Sequence, residues 1–403
     1  RSRPGNERAL PPLPLAGEGR GEGTLVRHLI VKKCADEALH SDLPSPYPLP
    51  QAGEGKEQAG EGLSARACEN RISPATERTM SSSPLVSILV RSMDRPTLQR
   101  ALDSIAAQDY PNIEVVVVAA GAAEHRDLAD RCGAFPLRLV RTAKPLARAE
   151  AANVALESAR GDWLNFLDDD DELLPTHVST LRAALDANAP SRLAHSISED
   201  VGADGTPVGR YGTRFKPWRQ LDTGFFRPHC AMFEVSLLDD GVAFDPRFDI
   251  LEDMDFFIQC AAKTPFVFVP QATTRYYVDA GDSGAGRGVN RNPERIAGAI
   301  EKLREKWADL DTRMRATTEF RTEQALWLIE QGRLPAAAPI VAELLAEDPQ
   351  SADARTLRVL QRIFRGEMEQ AKSVLDQIGE AVPKVESVAL KLEQVRARMA
   401  TLH

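Results

Sequence analysis

The fold is decided by one stretch, Asn153-Val-Ala-Leu-Glu-Ser-Ala-Arg-Gly-Asp-Trp-Leu-Asn-Phe-Leu-Asp-Asp-Asp-Asp171. Residues 146–159 predict a helix that Gly161 ends, and residues 163–167 predict a short apolar strand. Four aspartates, Asp168 to Asp171, follow the strand directly. A helix, a glycine, an apolar strand and then acids are typical of an α/β unit, in which ligands bind where the strands end.

The sequence upstream continues the same alternation. Residues 86–90 predict a strand, Pro96 begins a helix, and residues 113–119, apolar except for Glu114, predict a strand buried on both faces. Residues 137–140 predict a further strand before the helix at 146–159. Strand and helix in alternation predict a Rossmann-like α/β fold, a mostly parallel sheet with helices on both faces. The chemistry is expected at the carboxyl ends of the strands.

The acidic run predicts a metal site. In an extended segment alternate side chains point the same way, so Asp168 and Asp170 offer hard oxygen ligands to one Mg²⁺ or Mn²⁺. Such an ion completes its shell with water and phosphate oxygens. The alternative is a solvated acidic loop, and the run alone does not decide between the two.

Composition excludes several classes of protein. The 403 residues are 43% apolar and 27% charged, which is typical of a soluble globular protein of two or three domains. The net charge of −9 argues against general affinity for nucleic acid or anionic lipid. The 5 cysteines form no C-x-x-C pair, which favours a reducing cytoplasm over a zinc site or a disulfide framework. No apolar run approaches the roughly 18 residues of a membrane span.

The two ends of the chain differ from its centre. Residues 1–79 are rich in Gly and Pro, repeat one octet at 12–19 and 48–55, and precede the first methionine, Met80. They predict a disordered low-complexity segment, and we hypothesise that it is not part of the native protein; a functional proline-rich linker is the alternative. The catalytic domain is predicted at 80–292 and a helical region at 293–403.

The helical region contains a recurrence of 34 residues. The recurring positions are Gly332, Ala337, Val341, Leu344 and Pro349, then Gly366, Ala371, Leu375, Ile378 and Pro383. This spacing resembles the tetratricopeptide repeat, whose stacked helical hairpins bind protein partners or pack on a neighbouring domain. An ordinary helical appendage is the alternative.

The central region resembles family 2 glycosyltransferases. The resemblance covers 84–277 and lies in the stretch above, in Leu85-Val-Ser-Ile-Leu-Val-Arg-Ser-Met-Asp-Arg-Pro96, and in Ala101-Leu-Asp-Ser-Ile-Ala-Ala-Gln-Asp-Tyr-Pro-Asn-Ile-Glu-Val-Val-Val-Val118. It implies the GT-A fold, a nucleotide-diphospho-sugar donor, a divalent metal and inversion at the sugar carbon. The resemblance also implies that Asp168 and Asp170 bind metal and nucleotide, with Asp169 close by.

A second acidic pair, Glu252-Asp253, begins a predicted helix. In the family an acidic pair at this place holds the general base, so the resemblance implies that role for Asp253, with Glu252 beside it. A carboxylate within hydrogen-bond reach can take the proton of an acceptor hydroxyl as it attacks the sugar. The alternative is that both acids only complement the positive end of the helix.

The chain departs from the family at two strand ends. The family's Asp-Asp-Gly-Ser run is replaced by Ala119-Ala120-Gly121-Ala122, so a preference for uridine does not carry over. The usual Pro-Thr-Tyr-Asn is replaced by Arg91-Ser92-Met93-Asp94, where Ser92 and Asp94 are candidates to contact base or ribose and Arg91 is new. A binding-only descendant of the family therefore stays open.

Further residues are expected around the donor. Arg148 and Asn153 are predicted near the diphosphate, although a basic side chain at a helix start is often only solvated. His229 is a candidate for the acceptor or the phosphate, against a purely structural role. The glycine-rich residues 281–288 predict a closing loop.

Together these features predict a cytoplasmic, metal-dependent, inverting glycosyltransferase of the hexosyl type. The acceptor is a glycan, a lipid-linked sugar reached from the inner membrane face, or a protein. A sugar nucleotidyltransferase of the same fold is less favoured, because residues 91–96 lack the glycine-rich, basic signature of that class. The remaining alternative is an inactive carbohydrate-binding or protein-binding module.

Overall fold

The computed structural model describes residues 83–121, 124–221, 224–278 and 293–400. The predictions for the segment 1–79 and for the loop 281–288 lie outside these residues. The chain divides into two compact units, one ending at Ala316 and the other beginning at Thr317. We call them the sheet unit and the helical unit.

The sheet unit contains one ten-stranded sheet and helices on both of its faces. The strands are β1 (Val86–Ser92), β2 (Ile113–Ala119), β3 (Arg131–Cys132), β4 (Phe135–Val140), β5 (Trp163–Asp168), β6 (Glu172–Leu173), β7 (Leu193–Val201), β8 (Pro207–Tyr211), β9 (Ala231–Glu234) and β10 (Phe266–Tyr277). The α-helices described in this unit are α1 (Leu98–Ala106), α2 (Arg148–Ser158), α3 (His177–Ala187), α4 (Ser236–Asp239), α5 (Glu252–Ala261), α6 (Pro293–Lys306) and α7 (Ala308–Ala316).

The sheet is mixed. Its order is β3-β4-β2-β1-β5-β9-β7-β10-β6, with β8 paired to β7. The strands β4, β2, β1 and β5 are parallel, as the sequence predicts, whereas β9 runs antiparallel to both β5 and β7. The predicted α/β architecture is therefore confirmed in a mixed sheet, in which β3, β6, β8 and β9 run antiparallel to their neighbours.

The core lies on both faces of the parallel strands. Successive strand side chains point to opposite faces. In β1, Ile88 and Val90 therefore pack on the side of α1, whereas Leu89 packs on the side of α2. All seven residues of β1 and of β2 are buried, and most of them are apolar, as is typical of strands covered on both faces.

The site lies at the carboxyl ends of β1 and β5. These strands are parallel neighbours, and their register places Arg91 beside Asp168. Gly161 allows the close approach at the other end of β5, because a Cβ atom there would lie 2.7 Å from the backbone nitrogen of Ser87. Any larger residue at 161 would push β5 away from β1.

The helices α6 and α7 belong to the sheet unit. The fully buried Asp255 of α5 accepts hydrogen bonds from Lys306 Nζ and from Trp307 Nε1, both at 2.8 Å. These bonds anchor the end of α6, so the two units divide at 316/317. The sequence placed its domain boundary at 292, where the strand-rich sequence stops.

The helical unit contains α8 (Thr318–Glu330), α9 (Leu334–Glu347), α10 (Ala352–Arg365), α11 (Met368–Ile378) and α12 (Glu386–Ala400). Its recurring glycines, Gly332 and Gly366, follow α8 and α10 with φ of 69° and 80°, a left-handed conformation that favours glycine. The recurring Ala337 and Ala371 are both fully buried. The 34-residue recurrence in the sequence therefore corresponds to repeated turns at glycine and repeated buried alanines in the structure. Among the described helices, none is both long and apolar enough to cross a membrane.

Candidate active site

A cavity of about 370 Å³ opens where β5 ends and α5 begins. Its lining includes residues from three predicted groups: the acidic run, the acidic pair and the start of α2. Those residues are Asp168, Asp171, Glu252, Asp253 and Arg148, and His229 joins them. The fold thus brings together side chains that the sequence separates by up to about a hundred positions.

The acidic run is a turn, not an extended segment. Asp171 N–H donates to the carbonyl of Asp168 at 3.3 Å, and the turn brings ligand atoms of Asp168, Asp170 and Asp171 within 4.8 Å of one another. Asp169 points into the protein instead, where it accepts hydrogen bonds from Met93 N–H at 2.7 Å and from Arg95 at 2.5 Å. The alternation argument therefore missed Asp171, which the reversal of the chain adds to the cluster.

Three of the four aspartates are paired with cations. Arg91 donates to both carboxylate oxygens of Asp168, Arg95 pairs with Asp169, and His229 Nδ1 lies 3.2 Å from Asp171. Asp170 has a longer contact with Arg95, at 3.7 Å. Burial, and then the charges of Asp168 and Asp171, raise the pKa of Asp170 to about 7.

The donor atoms of this cluster fit a divalent cation. Three carboxylates offer the hard oxygen ligands that Mg²⁺ and Mn²⁺ prefer. A cation at Asp170 would oppose the repulsion from its neighbours, which is the charge that raises its pKa. Asp168, Asp170 and Asp171 are therefore the residues that would hold the metal.

His229 lines the same cavity with one ring nitrogen unused. It stands in the short 3₁₀ helix Pro228–Cys230, and only 3% of it is exposed. Although burial lowers the pKa of His229, the Asp171 carboxylate raises it to about 10. The Nε2 atom is buried and has no hydrogen-bond partner among the described residues. A buried polar atom costs free energy unless it is paired, so this one is suited to a bound anion.

The second acidic pair begins α5, as predicted. Leu251, directly before the helix, has φ of 63°, an uncommon conformation for a residue with a side chain. Glu252 is 2% exposed and accepts from Arg91 at 3.2 Å, and Arg148 Nε lies at the same distance from it. Asp253 accepts a hydrogen bond from Met254 N–H. Burial, and then the neighbouring Glu252, raise the pKa of Asp253 to about 6.

Ser92, the last residue of β1, and Asp94, just after it, are the candidates to contact base or ribose. Ser92 is fully buried. Its hydroxyl donates a hydrogen bond to Asp169 at 3.2 Å and lies 2.8 Å from His125 Nε2. Asp94 has φ of 58°, and its carboxylate pairs with Arg126 at 3.1 Å. Neither residue belongs to the lining of the cavity. Their present bonds fix Asp169 and the loop after β1.

The two candidates on α2 differ in position, because Arg148 lines the cavity and Asn153 does not. Arg148 is the first residue of α2, lines the cavity and pairs with Glu252. Asn153 uses both ends of its amide on the backbone of Phe244, donating at 2.8 Å and accepting at 3.0 Å. It is not among the residues that line the cavity. Asn153 thus joins α2 to the segment before α5.

An aromatic wall completes the cavity and was not predicted. The guanidinium of Arg227 lies 3.9 Å from the ring centre of Tyr276 and 4.6 Å from that of Tyr211. Asp200 holds the same guanidinium with two hydrogen bonds, at 2.6 and 3.0 Å. These residues come from β7, β8, β10 and the segment before β9, and no local pattern in the sequence links them.

The layered sheet, the acidic cluster after one of its parallel strands and the second carboxylate pair over one cavity are the arrangement that the resemblance to a GT-A domain implies. Residues 87–242 match the family model for glycosyl transferase family 2, and residues 328–394 match that for the tetratricopeptide repeat. These matches confirm both resemblances: residues 87–242 are similar to family 2 glycosyl transferases, and residues 328–394 are similar to the tetratricopeptide repeat.

Three comparisons with individual proteins accompany these matches. The uncharacterized protein y4gI of Sinorhizobium fredii is 28% identical over 221 residues, covering 50% of this chain and 23% of the relative. The uncharacterized glycosyltransferase YwdF of Bacillus subtilis is 26% identical over 209 residues, covering 49% of this chain and 76% of the relative. The crystal structure of S. aureus TarS 1-349 in complex with UDP-GlcNAc has a TM-score of 0.45 at 16% identity, covering 73% and 92% of the two chains.

Proposed function

We propose that the chain is an inverting, metal-assisted glycosyltransferase, which moves a hexose from a nucleoside-diphospho-sugar to an acceptor hydroxyl. The proposal rests on one observation: members of the acidic triad and the pair Glu252-Asp253 line a single cavity. A donor held by its diphosphate at the triad would present its sugar toward the start of α5. The family 2 match supports the same reaction class.

Asp253 is the proposed general base. Its pKa of about 6 is raised enough to accept a proton, yet low enough for the carboxylate to be ionised at neutral pH. Deprotonating the acceptor hydroxyl on the face opposite the diphosphate would give inversion. Glu252 would not serve in its place, because two arginines already hold its carboxylate.

The triad and two cations are the proposed donor-side residues. When bound, a divalent ion at Asp168, Asp170 and Asp171 stabilises the negative charge that develops on the leaving diphosphate. Arg148 and the unused Nε2 of His229 would donate to the same phosphates. The nucleobase finds no carboxylate at the end of β2, where Ala119 and Ala120 stand, so this chain's base preference is open to measurement.

The cysteines bear on the compartment, and the reaction type bears on the acceptor. The described cysteines are free, buried thiols, so we place the reaction in the reducing cytoplasm. A glycan, a lipid-linked sugar at the inner membrane face, or a protein would each supply an acceptor hydroxyl. The helical unit is the proposed surface for a protein partner.

The test is calorimetric titration of the full chain with uridine, guanosine, thymidine and cytidine diphosphates, each with and without Mn²⁺. We expect Mn²⁺-dependent binding that Asp170→Asn abolishes and Asp253→Asn retains. Nucleoside diphosphate release from the matching nucleotide sugar, with water as acceptor, should be lost in both variants. Asp186→Asn is the matched control, because its carboxylate is exposed on α3 and pairs only with Arg182 among the described residues.

Failure of every nucleotide to bind would contradict the proposal. It would favour the alternative of a carbohydrate-binding or protein-binding module, in which the alanines at 119 and 120 have removed donor recognition. Equal loss of nucleotide binding in both variants would contradict the role of Asp253 as base, because it would make that residue a donor ligand.

A further inference from the structure

The strongest unexplained feature of the site is Arg91. Its side chain is 8% exposed, and its register in β1 places it beside Asp168 of β5. The Nε atom donates to Asp168 Oδ1 at 2.9 Å, Nη2 donates to Oδ2 at 3.1 Å, and Nη1 donates to Glu252 at 3.2 Å. One guanidinium thus joins the triad to the acidic pair beside the base.

This arrangement opposes a metal ion at Asp168. Arg91 occupies one lone-pair position on each oxygen of that carboxylate, and its charge has the same sign as the ion's. A buried arginine does not lose its proton. Its planar fork is held at three points, so it has little freedom to withdraw toward solvent when an ion arrives.

We propose that Arg91 is an internal counterion of Asp168 that sets the affinity of the triad for a divalent cation. The inference rests on the proposed function, because it assigns the triad to a metal. Arg91 weakens binding of the ion alone, and the negative charge of a nucleoside diphosphate offsets this repulsion. The ion and the nucleotide therefore bind together rather than in sequence. Arg91 is a positioning residue, because it acts through Asp168.

The test uses Mn²⁺ alone, with no nucleotide, and follows the electron paramagnetic resonance signal of the free ion. Arg91→Met keeps the apolar length of the side chain and removes its charge. We expect it to bind Mn²⁺ more tightly than the unchanged chain, by on the order of tenfold or more. Arg91→Lys keeps the charge without the two-point contact, so its affinity should remain closer to that of the unchanged chain.

Two further variants control for folding and for charge. Arg91→Met leaves Glu252 with one cation fewer, so the double variant Arg91→Met/Glu252→Gln removes one charge of each sign and should keep the increased Mn²⁺ affinity. Arg275→Met removes a positive charge from β10, where Arg275 pairs with Glu172 and Glu199. Its Mn²⁺ affinity should change much less than that of Arg91→Met. Thermal melting of each variant reports whether it folds.

Three results would overturn the inference. They are unchanged or weaker Mn²⁺ binding in both Arg91→Met and the double variant, an equal gain in Arg275→Met, and no Mn²⁺ binding in any variant. Nucleotide titration of the unchanged chain separates this inference from the proposed function. Nucleotide binding together with any of these results would reject the role of Arg91 alone, whereas absent nucleotide binding would reject the proposed function.

Discussion

We expect the charge of Glu252 to set the pH at which kcat/KM falls on the acidic side of the pH–rate profile. The pKa of Asp253 is about 6 because of burial and then because of Glu252, which adjoins it in sequence. For any two carboxylates about 6 Å apart at an effective dielectric of about 20, the repulsion is about 3 kcal/mol, or about 2 pKa units, which serves here as an upper limit. Glu252→Gln removes this repulsion and leaves the charges of Arg91 and Arg148 uncompensated, which lowers the pKa of Asp253 further.

The sign of the effect follows from the role of a base. A general base is active when it is deprotonated, so kcat/KM should fall as the pH drops through about 6 in the unchanged chain. Because the pKa of Asp253 is lower in Glu252→Gln, this variant should keep a larger fraction of its own plateau rate at pH 5. At that pH the unchanged chain should keep about one tenth of its plateau rate.

The assay is release of nucleoside diphosphate from the accepted nucleotide sugar, with water as acceptor, between pH 4.5 and 8. Saturating Mn²⁺ keeps the triad occupied, so that its own protonation does not shape the curve. Asp253→Asn is the control and should show neither the limb nor appreciable turnover. A limb in Glu252→Gln that stays at the same pH, or moves to higher pH, would refute the electrostatic reasoning.

Three shorter predictions follow from the same structure. Asp253→Asn should lower kcat by on the order of 10² to 10⁴ with an unchanged donor dissociation constant, as measured by calorimetry. Burial lowers the pKa of His195 to about 3, so the free energy of unfolding should fall as the pH drops below about 6.5. Urea unfolding should show that His195→Phe removes about 2 kcal/mol of the decrease between pH 7 and pH 5. Asp255→Asn should lower the free energy of unfolding by about 3 kcal/mol, because Lys306 and Trp307 lose the carboxylate that anchors α6; an unchanged urea midpoint would argue against that anchor.

Several elements of the sheet unit were predictable because their signals are local. The predicted strand 113–119 is β2 residue for residue, and the helix predicted from Glu252 is α5. The 34-residue recurrence likewise corresponds to repeated turns at Gly332 and Gly366. The domain boundary at 292 stays a prediction. The hydrogen bonds that Asp255 accepts from the end of α6 join distant parts of the chain, and such long-range pairing has no local signature in the sequence.

The details of the site were less predictable because backbone direction decides them. An extended run would pair Asp168 with Asp170 alone, but the turn after β5 adds Asp171 and buries Asp169. Asn153 has an amide side chain and a position in α2 that suit a residue binding the donor, yet both ends of its amide form hydrogen bonds with the backbone of Phe244. Such competition between intramolecular and ligand bonds depends on segments that meet only in the folded chain.

The acids of the site differ in the cations that the fold places beside them. Four acids at the site have a cation partner at 3.2 Å or less: Asp168, Asp169, Asp171 and Glu252. Asp170 has only the 3.7 Å contact with Arg95, and Asp253 has no ion pair within the described part of the chain. These are the two whose pKa is raised, to about 7 and about 6. A carboxylate that lacks a cation gains most from a metal ion or from a proton, which favours Asp170 as the member of the triad that most needs the metal and Asp253 as the proposed base.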